Sequence, residues 1–249
     1  MQGHDAVLWK RKTSQFQTDF LIRAHIPEWL GKVEGKTILD AGCGEGYVSR
    51  MLSSLRANVY GFDKDPKMIG IAKGIEAENP IGVDYRICDV FEIEKAYKKH
   101  RFDFVLLIGV SCFFDKKKLV ECINKVASML KPGGVLLLST NHPGSYFKKA
   151  KSNWLRYNTV PGKNLSSQVV YIDFYSPKRE KVFSGECWMH PVEDIKKAIN
   201  GANLEVVDVY EPLASQEDLK HFPNMWADED WIPFHIAFKA VKKRLKVKA

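Results

Sequence analysis

The stretch Thr37-Ile38-Leu39-Asp40-Ala41-Gly42-Cys43-Gly44-Glu45-Gly46-Tyr47 decides the fold of this chain. It is a short apolar strand that gives way to three alternating glycines at the point where a helix is expected to begin. Glycine allows a tight turn and a close approach of the backbone to a ligand. Asp40 stands just before the first glycine. A carboxylate followed by such a loop favours a positively charged nucleoside ligand over a pyrophosphate.

A second strand, Asn58–Asp63, strengthens this interpretation. Its final acid, Asp63, lies 21 residues after Gly42. A nucleotide-binding βαβ unit places at this distance the carboxylate that accepts hydrogen bonds from a ribose diol. Strand, loop, helix, strand and acid in this order therefore predict a nucleoside site.

Strands and helices alternate through the first 140 residues, which predicts a doubly wound, mostly parallel α/β sheet with ligands at the carboxyl ends of its strands. Beyond the two strands already described, the expected core strands are 82–87, 102–108, 135–139, 204–210 and 234–241. An N-terminal helix is expected to begin near Thr13 or Ser14 and to stop before Pro27. The helix before the fifth strand is expected to end at Pro132-Gly133-Gly134.

The alternation breaks between Asn141 and Met189, where aromatic, lysine and turn residues are frequent. Two strands are expected here, Gln168–Tyr175 and Lys181–Trp188. We interpret this segment as a cap inserted between strand five and the helix that Pro191 opens. The expected organisation is a core at 1–141, a substrate cap at 142–190 and the remainder of the core at 191–249.

Composition limits the class of protein. The 249 residues, 45% of them hydrophobic, suit one large domain with an insertion. No apolar run reaches the roughly 18 residues of a membrane span, and no secretory leader is recognisable. The five cysteines are scattered without a Cys-x-x-Cys pair, which argues against disulfides and structural zinc. We therefore expect a cytoplasmic protein without a metal site or a membrane partner.

The formal net charge of +8 is concentrated in short lysine and arginine runs, including the tail Lys242–Lys248. Such runs can bind nucleic acid, but solvated helix ends and a basic terminus are the favoured interpretation. Nucleic acid stays an alternative partner, and the sequence leaves the oligomeric state open.

Four segments in order resemble the class I S-adenosylmethionine (SAM)-dependent methyltransferases, and in particular the branch that acts on small molecules. The resemblance covers about residues 30–141 and is carried by Ile38–Gly46, by Val59–Asp63 with Pro66 and Met68, by Cys88-Asp89-Val90, and by Phe102–Leu107 with Leu130-Lys131-Pro132-Gly133-Gly134. It implies a Rossmann-like, seven-stranded sheet, with SAM as cofactor and S-adenosylhomocysteine as product.

The resemblance also implies roles for individual residues. Asp40 would attract the cationic end of the cofactor or hold the loop, Asp63 would bind the ribose, and Asp89 with the Val90 N–H would bind adenine. The full set expected to contact the cofactor is Asp40, Gly42, Cys43, Gly44, Gly46, Tyr47, Asp63, Lys64, Met68, Asp89, Val90, Ile108 and Gly109. Trp9 is a further candidate to close over the cofactor.

The segment Gly109–Phe114 departs from the family. Many small-molecule methyltransferases carry an acid and a histidine here, and this chain carries neither. The candidate bases are then His142, after the fifth strand, and His190, where the cap rejoins the core. Both are expected at the rim of the cleft, and an ordinary hydrogen-bonded loop histidine is the alternative for each.

The favoured function is methyl transfer from SAM to an oxygen or nitrogen of a small molecule. An RNA (tRNA or rRNA) methyltransferase is the first alternative, suggested by the net charge. A catalytically silent SAM-binding subunit is the second, suggested by the missing acid and histidine. A nicotinamide oxidoreductase is least favoured, because of the acid that precedes the glycines.

Overall fold

The computed structural model describes residues 17–98, 100–147, 155–158, 167–176, 178–221 and 233–244. Its core is a seven-stranded sheet in the order β3-β2-β1-β4-β5-β10-β9. The core strands are β1 (Thr37–Ala41), β2 (Asn58–Asp63), β3 (Asp84–Ile87), β4 (Phe102–Ile108), β5 (Leu130–Asn141), β9 (Leu204–Tyr210) and β10 (His235–Lys242). Trp9 and the end of the basic tail lie outside the described residues.

Five strands of this sheet run parallel, from β3 through β2, β1 and β4 to β5. Strand β10 is antiparallel to both of its neighbours, β5 and β9. The strand order reverses between β1 and β4, and a crevice opens at such a switch point in doubly wound sheets. The predicted mostly parallel α/β sheet of seven strands is confirmed.

Helices cover both faces of the sheet. They are α1 (Gln17–Leu21), α2 (Ile26–Leu30), α3 (Tyr47–Ser54), α4 (Pro66–Glu78), α5 (Ile93–Ala96), α6 (Lys116–Ser128), α7 (Pro143–Phe147), α8 (Val192–Gly201) and α9 (Gln216–His221). Buried residues of α5, α6 and α8 form the core on one face. Those of α2, α3 and α4 form the core on the other.

Capping residues set where two of these helices begin. The Asp65 side chain accepts a hydrogen bond from the Lys67 N–H at the start of α4, and Asp115 accepts one from the Lys118 N–H at the start of α6. Such caps satisfy N–H groups that have no partner inside the helix. Both helices begin directly after a strand and its turn, so the caps help to fix the turns that face the crevice.

Two sequence expectations about helix ends are wrong. The described part of the N-terminal helix is two short α-helices joined by a 3₁₀ turn, Arg23–His25, and Pro27 lies in the first turn of α2. Proline is tolerated there because the N–H group that it lacks would have no partner inside the helix at this position. Helix α6 ends at Ser128, and β5 already begins at Leu130, with Gly133 at φ +80° within the strand.

A separate three-stranded antiparallel sheet forms from β6 (Leu155–Tyr157), β7 (Gln168–Tyr175) and β8 (Lys181–Met189). Its buried side chains pack with Leu21 of α1, with Cys112 after β4 and with Phe234 before β10. Strands β7 and β8 lie where the sequence predicts strands, whereas β6 is too short to have been recognised. We call this unit the covering sheet, because it lies over one end of the crevice.

Among the helices of the described residues, none combines the length and the apolar character that a membrane span needs.

Candidate functional site

A cavity of about 260 Å³ lies at the carboxyl ends of the parallel strands. Voids in protein interiors rarely exceed the size of one water molecule, about 30 Å³, so this cavity has room for a ligand. Its walls come from the loops after β1, β2, β3 and β4, from the end of β5, from the start of β10 and from the covering sheet. Thr18, Ile22 and Arg23 complete it from the N-terminal side.

The glycine loop after β1 is held in place by hydrogen bonds to β2. The N–H groups of Gly42 and Cys43 both donate to the Phe62 carbonyl, at 2.8 and 2.9 Å. Gly46 has φ +83°, and a Cβ there would lie 2.2 Å from the Tyr85 hydroxyl oxygen. Gly44, at φ +56°, has nothing within 4 Å of such a Cβ. The loop therefore packs closely at Gly46 and leaves its open side, at Gly44, towards the cavity.

Asp63 lies beside this open side and is held by two backbone groups. One carboxylate oxygen, Oδ2, accepts the Gly44 N–H at 3.0 Å, and Oδ1 accepts the Asp65 N–H at 2.9 Å. Burial raises the pKa of Asp63, and these hydrogen bonds oppose the rise. Each carboxylate oxygen can accept more than one hydrogen bond, so both keep capacity for a diol.

Asp40 is a buried acid at the end of β1. It is 2% exposed, and the Ser49 hydroxyl donates to its Oδ2 at 2.6 Å. Burial raises the pKa of Asp40 to about 6, and the Ser49 hydrogen bond only partly offsets this. A positively charged ligand in the cavity would favour the ionised form.

The cavity end near β3 has the expected Asp89 and Val90. Asp89 accepts the Phe91 N–H at 3.0 Å and so caps a 3₁₀ turn, Val90–Glu92. Twelve of the thirteen residues expected to contact the cofactor line the cavity. They are Asp40, Gly42, Cys43, Gly44, Tyr47, Asp63, Lys64, Met68, Asp89, Val90, Ile108 and Gly109. Gly46 does not, because Tyr85 fills the space beside it.

Neither predicted base lines the cavity. His190 is buried, with its Nε2 donating to the Phe114 carbonyl and its Nδ1 bonded to the Ser167 hydroxyl, both at 2.9 Å. Burial lowers the pKa of His190. The Nδ1 of His142 accepts the Gly144 N–H at 2.9 Å, and its Nε2 lies 3.1 Å from a Glu211 carboxylate oxygen. Both nitrogens of each ring are occupied, so the geometry favours the alternative of a hydrogen-bonded loop histidine.

A different histidine, His235, does line the cavity and is 3% exposed. Burial lowers the pKa of His235 to about 3, so the ring is neutral. Sequence reasoning passed over it because nothing local marks it. The usable signal would have been its position at the start of the last strand, which pairs with the end of β5.

Residues 32–203 match a family model described as a methyltransferase domain. This chain belongs to that methyltransferase family. All four segments that resembled the class I SAM-dependent methyltransferases lie within the matched range, so the family expected from the sequence is confirmed.

Curated relatives match a smaller part of this chain than the family model does. The ubiquinone biosynthesis O-methyltransferase of Xanthomonas campestris is 34% identical over 109 residues, 43% of each chain. The enzyme of that name from Dechloromonas aromatica is 32% identical over 149 residues, 58% of this chain and 63% of the relative. The chain thus spans about half the length of the relatives it matches.

Solved methyltransferases share the fold over most of the chain. The CcbJ methyltransferase of Streptomyces caelestis superposes with a TM-score of 0.65 at 15% identity and covers 96% of each chain. A SAM-dependent methyltransferase of Mesorhizobium loti gives 0.64 at 20% identity, covering 88% of this chain and 98% of that one. At such identities the likeness shows the fold alone.

The end of the cavity that lies against the covering sheet, the proposed acceptor end, is largely apolar. Phe113, Phe174 and Phe183 pack together there and line the cavity with Val182. Within the described residues, no group of three or more histidine, cysteine or acidic side chains is placed to hold a metal ion.

Proposed function

We propose that the protein transfers a methyl group from SAM to an oxygen atom of a small molecule. The observation that carries this proposal is the Asp63 carboxylate, held between the N–H groups of Gly44 and Asp65 beside the open face of the glycine loop. The names of the O-methyltransferase relatives favour oxygen over nitrogen. The two alternatives, an RNA methyltransferase and a silent subunit, gain no support from these relatives.

The residues at the glycine-loop end fit SAM. The cofactor carries positive charge on its sulfur and its amino group, and Asp40, Asp63 and Asp89 line this end. Glu45 also lines it but pairs with Arg50 at 2.6 Å. The cavity wall at Gly44 and Gly109 has no side chain, and a Cβ at either position would meet nothing within 4 Å. Negative charge and open backbone are what an adenosyl sulfonium requires of a site.

SAM supplies a methyl group on a positively charged sulfur, which makes that carbon open to attack by an oxygen lone pair. The task of the protein is then to bind, align and exclude water. Asp63 would hold the ribose hydroxyls, Asp89 and the Val90 N–H would hold the adenine, and Asp40 would balance the positive charge. The apolar residues at the other end would keep water from the acceptor.

The covering sheet supports the expected cap. The cavity is lined opposite the ends of β4 and β5 by Phe174 and Tyr175 of β7 and by Val182 and Phe183 of β8. We propose that residues 142–190 cover the methyl acceptor and that the segments on either side, 1–141 and 191–249, form one cofactor-binding core.

Replacing Asp63 tests the cofactor half of the proposal. Asp63→Ala should weaken S-adenosylhomocysteine binding at least tenfold, because charge-assisted hydrogen bonds worth about 1.5–3 kcal/mol are lost. Isothermal titration calorimetry measures this directly. Asp115→Ala is a matched control, since it removes a capping acid of α6 that does not line the cavity. It should lose stability and keep its affinity. No heat with the wild-type protein would refute the proposed function.

A further inference from the structure

Two polar side chains lie side by side at the acceptor end of the cavity. Asn141 is the last residue of β5, His235 is the first of β10, and the two are direct partners in the antiparallel register. Direct partners project from the same face of a sheet, with Cβ atoms about 4.5–5.5 Å apart. Both side chains line the cavity, and they are 6% and 3% exposed.

Each of these side chains has a buried atom without a hydrogen-bond partner. Across the described residues, nothing bonds to Nδ2 of Asn141 or to Nε2 of His235. A buried polar atom left unpaired costs about 1–3 kcal/mol, and most such atoms in proteins are paired. Two of them side by side on a cavity wall form a site that one ordered water molecule or one ligand group can complete.

The two atoms have complementary hydrogen-bonding character. The amide nitrogen of Asn141 can only donate. Burial lowers the pKa of His235, so the ring is neutral, and the nearby Thr140 carbonyl opposes this shift, which favours a proton on the ring nitrogen that faces it. The remaining nitrogen, Nε2, then carries a lone pair and can only accept. The pair therefore offers one donor and one acceptor to the same small region of the cavity.

The group that fits both atoms at once is a hydroxyl, because its oxygen accepts from Asn141 while its proton is donated to His235. An ionised carboxylate, a phosphate dianion, a ketone or an ether oxygen has no proton to donate. Charge gives the same answer. Arg23, the cation whose charge reaches His235, already binds Asp19 at 2.6 Å and the Thr18 hydroxyl, so an anion here would compete with a carboxylate that the guanidinium already holds.

The location separates this pair from the nucleoside end. Neighbouring strands lie about 4.8 Å apart, so β5 and β10 lie about 14 and 19 Å along the sheet from β2, which carries Asp63. The apolar residues around the pair come from the covering sheet and from the turn after β4. A hydroxyl bound here would thus belong to the methyl acceptor.

We propose that Asn141 and His235 together bind one neutral hydroxyl group of the methyl acceptor, which selects apolar alcohols and phenols over anions and ethers. This inference rests on the proposed methyl transfer for the identity of the ligand as the acceptor, but the hydroxyl preference itself is a property of the cavity and can be measured separately.

Three naphthalene probes test the preference without turnover: 2-naphthol, 2-methoxynaphthalene and 2-naphthoate. Calorimetry on the protein, free and with S-adenosylhomocysteine, should show 2-naphthol binding at least tenfold more tightly than either of the other two. Asn141→Leu and His235→Phe should each reduce this ratio to below threefold. Equal binding of the three probes to the wild type, or an unchanged ratio in both variants, would overturn the proposal.

Ser111→Ala is the matched control, because Ser111 also has a buried hydroxyl oxygen without a partner among the described residues, yet it does not line the cavity. Ser111→Ala should leave unchanged the ratio of 2-naphthol affinity to the affinity of the other two probes. Thermal unfolding separates binding from a structural role: Asn141→Leu and His235→Phe should keep or raise Tm, and a large drop in both would contradict the proposal. Failure of S-adenosylhomocysteine to bind while the ratio holds would refute the proposed function alone.

Discussion

The two ends of the cavity are built in different ways. At the cofactor end, most contacts come from one stretch of chain, Asp40 to Met68, and the polar groups already have partners: Asp63 binds two N–H groups and Asp40 binds Ser49. At the acceptor end, the lining comes from segments far apart in sequence, and two buried polar atoms have no hydrogen-bond partner among the residues that the structure describes.

This difference separates two ways of obtaining specificity. The cofactor end is organised before its ligand arrives, so binding there loses little free energy to rearrangement. The acceptor end keeps unpaired atoms whose penalty only a matching ligand removes, so a wrong ligand is rejected by leaving them unpaired. One end suits a ligand that never changes, and the other suits selection among similar molecules.

The largest effect is expected from the glycine loop. Gly46→Ala should lower the free energy of unfolding by about 2–4 kcal/mol, from left-handed backbone strain and overpacking against Tyr85. A Cβ at this position would lie 2.2 Å from the hydroxyl oxygen and 2.6 Å from Cζ of that buried ring. Urea unfolding followed by circular dichroism measures the loss.

Gly44→Ala is the comparison for this variant. Its φ of +56° also disfavours alanine, but a Cβ there meets nothing within 4 Å. The expected loss of stability is about 1 kcal/mol, and the larger effect should be on S-adenosylhomocysteine affinity, because the new methyl group enters the cavity. Equal destabilisation by the two variants would show that the loop is not packed as described.

An intermediate effect is expected from Asp40, through pH. Its folded-state pKa, about 6, lies above the ordinary value of 3.8 for an aspartate, so the folded protein binds more protons between pH 4 and 6. Stability should therefore fall as pH rises through this window. Asp40→Asn should be more stable than the wild type at pH 8, by on the order of 1–3 kcal/mol, and no more stable at pH 4.

The same group should link cofactor binding to pH. A cationic ligand favours ionised Asp40, so SAM affinity should rise as pH increases through about 6 and then level off. Calorimetry in two buffers of different ionisation enthalpy should detect proton release at pH 6 in the wild type and none in Asp40→Asn. The same release in both proteins would assign it to another group.

The smallest effect concerns an unpaired atom far from the acceptor end. The buried Tyr97 hydroxyl has no hydrogen-bond partner among the described residues, and the ring does not line the cavity. Tyr97→Phe should leave probe binding unchanged and raise the unfolding free energy by up to about 1 kcal/mol. Tyr157→Phe, which breaks a 2.6 Å bond to Ser145, should instead lower it. A loss in Tyr97→Phe would indicate a missed partner.

What could be predicted from the sequence follows the same division. The glycine loop and Asp63 are recognisable because a strand, a turn and the next strand carry them within about 25 residues. Local spacing also predicts the alternation of strands and helices that orders the core. These features depend on interactions between neighbours in the chain, and such interactions leave a pattern in the sequence.

The acceptor end could not be predicted in this way. Asn141 and His235 are about 90 residues apart, and only the antiparallel pairing of β10 with β5 brings them together. His142 and His190 were singled out because they flank the cap, but that position says nothing about which way a ring points. The two nitrogens of each ring bind other groups, a choice that tertiary packing makes and spacing does not encode.

The two hydrogen bonds of His190 have a mechanical consequence. This residue directly follows β8 and joins the covering sheet to the Phe114 carbonyl on the core side of the crevice. If the covering sheet moved away from the core at His190, the buried ring would lose this hydrogen bond, at a free-energy cost of about 1–3 kcal/mol. The covering sheet is therefore anchored to the core next to the start of α6. We expect an acceptor to enter and leave the cavity along another edge of the sheet.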